Sequence, residues 1–388
     1  MTDNLDSGAE SEPLQERKSA INNVNRRNLL KTGGALIGGI GLAGCSGNTG
    51  NQSGNGDGGG GGETTNIAII SSPAGFGDQA FNDLAWQGLQ NAKDEFNIKL
   101  QQVEETNQSN YRTVQSRLAE SQNPNYDLIV LVGYNHTQAL ETNATQYSDQ
   151  KWMLINDFVD QPNVAGYTWA NHQMSFQAGV LAGTMTTREF SYKNAASTKP
   201  DSPTIGFVGG VDSALINAFE RAYKAGAKSI NENVNVRVGY IGNYNDTQTA
   251  NNIASSQYDS GADIVYHAAA AAGQGVFQAA QNANRFAIGV DADQSKTLSK
   301  YTDIIMGSAV KYINKGTYQV SKAIVNNNWQ SVQGDNVLGL KQDAVAVVLG
   351  DAVGPELPDV VETNLKKSKQ AILNGDTEVP CSASGCQG

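Results

Sequence analysis

Short apolar runs alternate along this chain with longer stretches in which apolar residues recur every three or four positions. The runs that predict strands are 66–70, 127–132, 152–155, 204–208, 236–241, 263–267, 286–290 and 343–349. The stretches that predict helices are about 110–121, 137–147, 172–188, 212–231, 247–260, 275–284, 309–327 and 356–373. Strands alternating with helices of this length predict an α/β protein with βαβ units, parallel sheets and right-handed crossovers.

Eight strand candidates are too many for one comfortable sheet, so the pattern predicts two doubly wound lobes joined by a hinge with three crossings. We expect lobe 1 to comprise 66–168 and 309–335, and lobe 2 to comprise 169–308 and 336–375, followed by a tail at 376–388. Hinged lobes of this kind close on ligands in the cleft between them.

The first 45 residues predict a disordered N-terminus followed by an export signal. Arg26-Arg27 form a twin-arginine pattern, and a Gly-rich apolar run from Gly33 to Gly44 follows them. A helix of that length spans about 18 Å, short of the ~30 Å hydrocarbon core of a membrane, so the run predicts a signal and not a membrane span. It ends in Leu42-Ala43-Gly44-Cys45, which resembles the lipobox of secreted lipoproteins.

Cys45 would therefore carry the lipid that anchors the protein at the extracellular face of the cell membrane. Residues 46–65 are mostly Gly, Asn and Ser and predict a flexible tether between that anchor and the folded body.

Composition limits the chemistry that the folded body can perform. The formal charge is −11 and Lys/Arg runs are absent, which argues against nucleic acid as a partner and suits a surface in high salt, as in a halophilic archaeon. Between Cys45 and the tail there is no cysteine, and the three histidines His136, His172 and His267 are far apart. We therefore expect no metal and no cofactor. Cys381 and Cys386 could form a small disulfide loop or remain two free thiols.

The loop after the first strand carries the first candidate chemistry. Ligands of doubly wound sheets lie beyond the carboxyl ends of the strands, and Asp78, Phe81 and Asn82 occupy that place with a carboxylate, an aromatic ring and an amide. The alternative is structural, with Phe81 in the core and Asn82 as a helix N-cap.

An ordered set of segments resembles a known family. The segments are GFGDQAFNDLAWQG, KWMLIND, MSFQAGVLAG, TIGFVGGVDSALINAFERAYKAGAK, YIGNYND, GADIVYHAAAAAGQGVFQAA, IGVDADQS and GSAVK, within residues 66–320. Together they resemble the basic membrane protein (BMP) family of ABC-transporter substrate-binding lipoproteins, which includes purine nucleoside receptors. The resemblance implies the type I periplasmic-binding-protein fold, ABC permease subunits as partners, and a monomer.

In lobe 1 the resemblance implies three ligand contacts and one departure. Phe81 would stack on one face of the base, Asn82 would read its edge, and Asp78 would order the loop or contact the ligand. Asn156 stands where the family commonly has an aspartate that binds the base. An amide offers a donor and an acceptor, whereas a carboxylate only accepts, so base preference is expected to differ from that of a strict guanosine or inosine binder.

The resemblance also implies a second aromatic ring and a charged pair. Tyr244 would be the second stacking ring, with Phe219 as a weaker competitor because it also lies on an apolar helix face. Asp291 would accept hydrogen bonds from the ribose hydroxyls, with Lys311 as its partner at the same sugar. Gly273 and Gly275 would let the backbone approach the ligand.

The sequence thus predicts a non-enzymatic binding protein that captures a nucleoside, with purine nucleosides favoured, for an ABC importer. A sensor on the same fold, or a binder of a sugar or other small polar solute, stays open. The chain has no G-x-S-x-G, H-E-x-x-H or P-loop motif, and we assign no catalytic residue. A carboxylate-based nucleoside hydrolase is the remaining enzymatic alternative.

Overall fold

The structure is a computed structural model that describes residues 64–381. The strands of this part are β1 (Thr65–Ile70), β2 (Ile98–Val103), β3 (Leu128–Val132), β4 (Trp152–Ile155), β5 (Val164–Trp169), β6 (Ser191–Tyr192), β7 (Ala196–Ser197), β8 (Thr204–Gly209), β9 (Asn235–Tyr240), β10 (Ile264–Ala268), β11 (Phe286–Asp291), β12 (Ile305–Lys311), β13 (Gly334–Leu338) and β14 (Val345–Leu349). Its helices are α1 (Phe81–Glu95), α2 (Tyr111–Ala119), α3 (Thr137–Gln146), α4 (Asn171–Thr186), α5 (Ala214–Ile230), α6 (Thr247–Asp259), α7 (Gln274–Ala283), α8 (Gln294–Thr297), α9 (Ile313–Val325) and α10 (Val360–Asn374).

Two six-stranded sheets organise the described chain. The first has the order β13-β5-β4-β3-β1-β2 and is parallel throughout. The second has the order β14-β12-β11-β10-β8-β9 and is parallel except for β14, which pairs antiparallel with β12. This confirms the predicted α/β fold of two lobes with doubly wound parallel sheets. We call the first sheet with its helices lobe 1, and the second lobe 2.

Buried strands and closely packed helices explain why these segments fold as they do. All five residues of β3 are buried, as expected for a parallel strand that is covered on both faces. Helix α1 buries Ala85, Leu89 and Ala92 against the first sheet. A Cβ on Gly88 would lie 2.0 Å from Thr317 Oγ1, so this glycine lets α1 and α9 pack closely. Because α9 follows β12 of the other sheet, this packing fixes one of the crossings between the lobes.

Four strands of the two sheets escaped the sequence pattern. They are β2, β5, β12 and β13. Strands β2 and β13 lie at the edges of the first sheet and are only partly buried, so their composition is too polar to stand out. The expected helix at 309–327 begins too early, because β12 continues to Lys311 and α9 starts at Ile313. The expected lobe boundaries at 309 and 336 accordingly fall inside β12 and β13.

Helix α4 lies in the interior of the described chain, and every one of its 16 residues is buried. It packs against α5, where a Cβ on Gly179 would lie 2.1 Å from the carbonyl oxygen of Tyr223. Among residues 64–381 no helix is both long enough and apolar enough to cross a membrane.

Candidate ligand-binding site

The carboxyl ends of the two sheets face each other across a pocket that residues of both lobes line. Lobe 1 contributes Ser72, Pro73, Ala74, Phe81, Gly133, Tyr134, Asn135 and Asn156. Lobe 2 contributes Leu215, Ile216, Phe219, Tyr244, Ala268, Ala269, Ala270, Val290, Asp291 and Lys311. Small-molecule sites in proteins commonly combine a mostly apolar wall with a few polar groups, as this wall does.

A buried ion pair lies at the centre of this pocket. Lys311 Nζ is 3.1 Å from Asp291 Oδ1, and both side chains are less than 10 % exposed. The same ammonium donates to Asn171 Oδ1 at 3.3 Å. It also lies 4.7 Å from the ring centroid of Phe81 and 5.7 Å from that of Phe219. A cation of lobe 2 is thus held between one aromatic ring from each lobe, which is a favourable arrangement for charge next to π faces.

Three of the lining residues have a left-handed backbone although they are not glycine. They are Asn156 (φ 68°), Ala270 (φ 45°) and Asp291 (φ 66°), and each lies at or just after the end of a strand. Such conformations cost roughly 1–3 kcal/mol each and cluster at functional sites. Their coincidence in one pocket makes it the candidate functional site of the described chain.

Asn156 presents an amide to the pocket. Its backbone N–H donates to the carbonyl oxygen of Tyr167 at 2.8 Å, which holds the residue at the end of β4. Its side-chain oxygen is buried and has no hydrogen-bond partner within residues 64–381. A buried acceptor without a partner costs about 1–3 kcal/mol, so a donor on a bound ligand would relieve a real penalty.

Asp78 and Asn82 lie beside the pocket and do not line it. Asp78 accepts hydrogen bonds from the backbone N–H groups of Ala80 and Asn82 and from the Asn82 amide, at 2.9–3.0 Å. Asn82 also accepts from the backbone N–H of Ser72 and donates to the Ser72 hydroxyl, both at 2.8 Å. Burial raises the pKa of Asp78 to about 6.

These bonds occupy the donors and the acceptor of Asn82, so the structure does not place it to read the edge of a base. The capping role considered for Asn82 belongs to Asp78, whose carboxylate satisfies N–H groups at the start of α1. Phe81, between them in sequence, lines the pocket and also packs in the buried core, so both predicted roles stay open.

Gly273 and Gly275 are also absent from the pocket wall. A Cβ on Gly275 would lie 2.0 Å from the carbonyl oxygen of Thr247, so this glycine allows α7 to pack on α6. A Cβ on Gly273 would lie 2.0 Å from the ring of His267. The structure therefore corrects the expectation that these glycines let the backbone approach the ligand. Gly275 allows α7 to pack on α6, and Gly273 leaves space for the imidazole of His267.

Tyr244 and Phe219 both line the pocket, so the structure does not choose between them as the second ring. A Cβ on Gly210 would lie 2.3 Å from the Tyr244 ring, which explains why a glycine follows β8. The Tyr244 hydroxyl is 3.5 Å from that of Tyr134 on lobe 1. Burial, and next the neighbouring Tyr134, raise the pKa of Tyr244 far above its usual value.

Two further hydrogen bonds join residues of the two lobes. Asn245 Nδ2 donates to the carbonyl oxygen of Pro73 at 2.8 Å, and Thr297 Oγ1 donates to that of Gln79 at 3.3 Å. The two lobes are therefore in direct contact.

Sequence reasoning missed several wall segments, and they share one signal. They are 72–74 after β1, 133–135 after β3, and 268–270 at the end of β10. Each directly follows an apolar run, so the rule that located Phe81 would have located them had it been applied to every strand.

The remaining predictions concern the ends of the chain and metal binding. Within the described range no group of three or more His, Cys, Asp or Glu side chains could hold a metal ion. Cys381 is disulfide-bonded. The signal, Cys45, the tether up to residue 63 and Cys386 lie outside the described residues.

Comparison with known proteins gives a consistent result. Residues 65–383 match the family model Bmp, described as ABC transporter substrate-binding protein PnrA-like. A protein of Lactococcus lactis subsp. cremoris named ABC transporter nucleoside-binding protein BmpA is 30 % identical over 333 residues, covering 81 % of this chain and 88 % of that protein. A lipoprotein of Pyrococcus horikoshii is 30 % identical over 296 residues, covering 73 % and 69 %.

Solved structures show the same fold. An ABC-transporter solute-binding protein from Aeropyrum pernix K1 superimposes with a TM-score of 0.70 at 22 % identity, covering 82 % of this chain and 94 % of that one. Proteins of this class bind small ligands and act with permease components. The match over residues 65–383 confirms the predicted resemblance: the chain belongs to the Bmp family of PnrA-like ABC transporter substrate-binding proteins.

Proposed function

We propose that this protein captures a nucleoside, preferably a purine nucleoside, in the pocket between its lobes and delivers it to an ABC importer. The observation that carries the proposal is the buried Asp291–Lys311 pair between aromatic rings of both lobes. A nucleoside joins a flat ring to a diol, and this pocket offers π faces together with a carboxylate. The nucleoside-binding relative of Lactococcus supports the same ligand class.

The aromatic rings would bind the base. Phe81 of lobe 1 would cover one face, and Tyr244 or Phe219 of lobe 2 would cover the other. Aromatic pairs contribute about 0.5–1.5 kcal/mol beyond the burial of their area. Asn156 would meet the base edge with an acceptor that has no partner in the described protein. Because an amide both donates and accepts, it suits an edge that offers one donor and one acceptor.

The charged pair would bind the sugar. Asp291 would accept from the ribose hydroxyls, and Lys311 would donate to the same sugar. Hydrogen bonds to charged groups contribute about 1.5–3 kcal/mol, and lobe closure removes the water that would compete for them. Within the pair each charge balances the other, so the empty pocket need not bury an isolated ion.

The N-terminal region would keep the protein at the membrane. The twin-arginine signal would direct export, the lipid on Cys45 would anchor the chain at the extracellular face, and the Gly-rich tether would hold the lobes near the permease. A flexible coil of this type reaches roughly 5–6 Å × √n, where n is the number of residues. In this proposal the protein works as a monomer without a cofactor.

Calorimetric titration of the full chain in mild detergent and high salt tests the ligand class. The panel is guanosine, inosine, adenosine, cytidine and ribose, after bound ligand has been removed by unfolding and refolding. We expect saturable 1:1 binding of purine nucleosides, lost in Asp291→Ala. Asp303→Ala, which removes an exposed carboxylate paired with Lys193, is the control and should bind as the natural chain does.

Binding of ribose alone, or of nothing in the panel, would remove the nucleoside assignment and leave the fold intact. Prolonged incubation with inosine, followed by detection of free hypoxanthine, separates binding from hydrolysis. Sustained turnover would overturn the proposal.

A further inference from the structure

Two polar side chains of lobe 2 hold the backbone next to Asp291 from beneath the pocket. Gln294 Oε1 accepts a hydrogen bond from the backbone N–H of Val290 at 2.8 Å and another from His267 Nε2 at 2.9 Å. Both side chains are completely buried, and neither lines the pocket. Asp291 follows Val290 directly and has a left-handed backbone, with φ at 66°.

The hydrogen-bond pattern fixes the orientation of both groups. The Val290 N–H can only donate, so the atom of Gln294 that faces it is the amide oxygen. That oxygen in turn requires a proton on His267 Nε2. Burial lowers the pKa of His267 to about 4, and the imidazole is therefore neutral, with Nε2–H as the donor.

The surrounding residues leave space for the side chains of His267 and Gln294 but restrict their movement. A Cβ on Gly273 would lie 2.0 Å from the His267 ring, and one on Gly289 would lie 2.8 Å from Gln294 Oε1. The ring of Phe277 meets the imidazole edge to face, with 5.0 Å between centroids. The arrangement is thus built around the imidazole and the amide.

Stability alone does not account for this pair. His267 Nδ1 and Gln294 Nε2 are buried without hydrogen-bond partners in the described part of the chain. Each such group costs about 1–3 kcal/mol, which an apolar pair of the same volume would avoid. An unsatisfied group of this kind calls for an explanation, and its place beneath Asp291 supplies one.

We infer that His267 and Gln294 are positioning residues that keep Asp291 in its left-handed conformation, with its carboxylate beside Lys311 and directed at the ligand hydroxyls. The inference rests on the proposed function in one respect, namely that the ligand presents hydroxyl groups to Asp291.

The test compares inosine with 2′,3′-dideoxyinosine on the full chain by calorimetry. The natural protein should prefer inosine by about tenfold or more, the equivalent of one hydrogen bond to a charged group. In His267→Leu this preference should fall towards one, while dideoxyinosine binds with nearly unchanged affinity. His267→Gln, whose amide can donate in place of the imidazole, should restore the preference. His136→Leu removes a buried histidine of lobe 1 and should keep it.

Equal losses for the two ligands would show a merely structural role and overturn the inference, as would the absence of any loss. If His267→Leu does not fold, Gln294→Met removes the acceptor of the same hydrogen bond and serves instead. If the natural protein binds neither ligand, the proposed function fails by itself. The crystal structure of the ligand-free variant then decides: Asp291 unmoved, still 3.1 Å from Lys311, would overturn the inference, and a displaced carboxylate would support it.

Discussion

Asp78 and Asp291 lie at comparable places in the two lobes and do opposite things. Both are buried carboxylates at the carboxyl edge of a parallel sheet, one in the loop after β1 and the other at the end of β11. The oxygens of Asp78 are taken by N–H groups of its own loop. Asp291 instead faces the pocket with a lysine as its partner.

The difference shows that a carboxylate after a strand can either be fully hydrogen-bonded by its own loop or remain available to a ligand. A short local loop saturates Asp78, so it orders the segment that carries Phe81. The partner of Asp291 comes from a neighbouring strand, twenty residues further along the chain, and leaves room for a ligand between the lobes. Burial alone does not separate the two cases; the source of the hydrogen-bond donors does.

Removal of the Lys311 ammonium should have the largest effect on the free energy of unfolding and on ligand binding. Lys311→Met leaves Asp291 buried without its counter-ion, and breaking a buried pair in this way costs about 3–5 kcal/mol. Chemical denaturation should show that loss in the free energy of unfolding, together with loss of ligand binding. Lys193→Met breaks an exposed pair with Asp303 and should change the free energy of unfolding by less than about 1 kcal/mol. Similar losses in the two variants would mean that Asp291 is not truly buried.

The pH dependence of stability should identify Asp78 as the held carboxylate. Its pKa in the folded protein, about 6, lies above its ordinary value of 3.8. The folded state therefore binds the proton more tightly, and the resulting stabilisation is present below pH 3.8 and lost as pH rises through 6. Relative to Asp78→Asn, the natural protein should gain on the order of 3 kcal/mol in free energy of unfolding from pH 7 to pH 4.

Other titrating groups are common to both proteins, so the difference between two series of denaturation curves isolates Asp78. A difference that does not vary with pH would show that Asp78 is solvated in the folded state.

Loss of one ring face should have a moderate effect. Phe81→Leu keeps an apolar side chain in the loop that Asp78 holds but removes the π face that meets Lys311. We expect nucleoside affinity to fall about two- to tenfold, the equivalent of 0.5–1.5 kcal/mol. Phe96 lies at the other end of α1, and Phe96→Leu is the matched control. Unchanged affinity in Phe81→Leu would mean that the base stacks elsewhere.

The contact between the two tyrosines should have the smallest effect. The Tyr134 and Tyr244 hydroxyls are 3.5 Å apart across the cleft, at the limit of a hydrogen bond. Tyr134→Phe should therefore weaken ligand binding by no more than about threefold, or roughly 0.5 kcal/mol. A loss above tenfold would show that this hydroxyl contacts the ligand itself.

The sequence by itself determined the fold class, because apolar runs and helical spacings recur regularly enough to define two parallel-sheet lobes. The strand-end rule placed Phe81, and the resemblance to the family placed Asn156, Phe219, Tyr244, Asp291 and Lys311; all six line the pocket. Phe81 could be placed without a relative because it follows the first strand, where chain order and sheet geometry determine position. The polar edge strands β2 and β13 escaped because weak burial leaves little periodicity to detect.

Only the tertiary structure decided what each polar group does. Asp78 and Asn82 proved to be hydrogen-bonded within their own loop, Gly273 lies against the His267 ring, and Gly275 lies against helix α6. The sequence pattern does not contain these contacts, because side-chain directions and packing distances are defined only in the folded chain. The role of His267 beneath Asp291 has the same origin, since Gln294 joins them only once β10 and β11 lie side by side. The pattern of apolar residues determines how strands and helices are arranged. Hydrogen bonds are directional and short-range, and they determine what each polar side chain does within that arrangement.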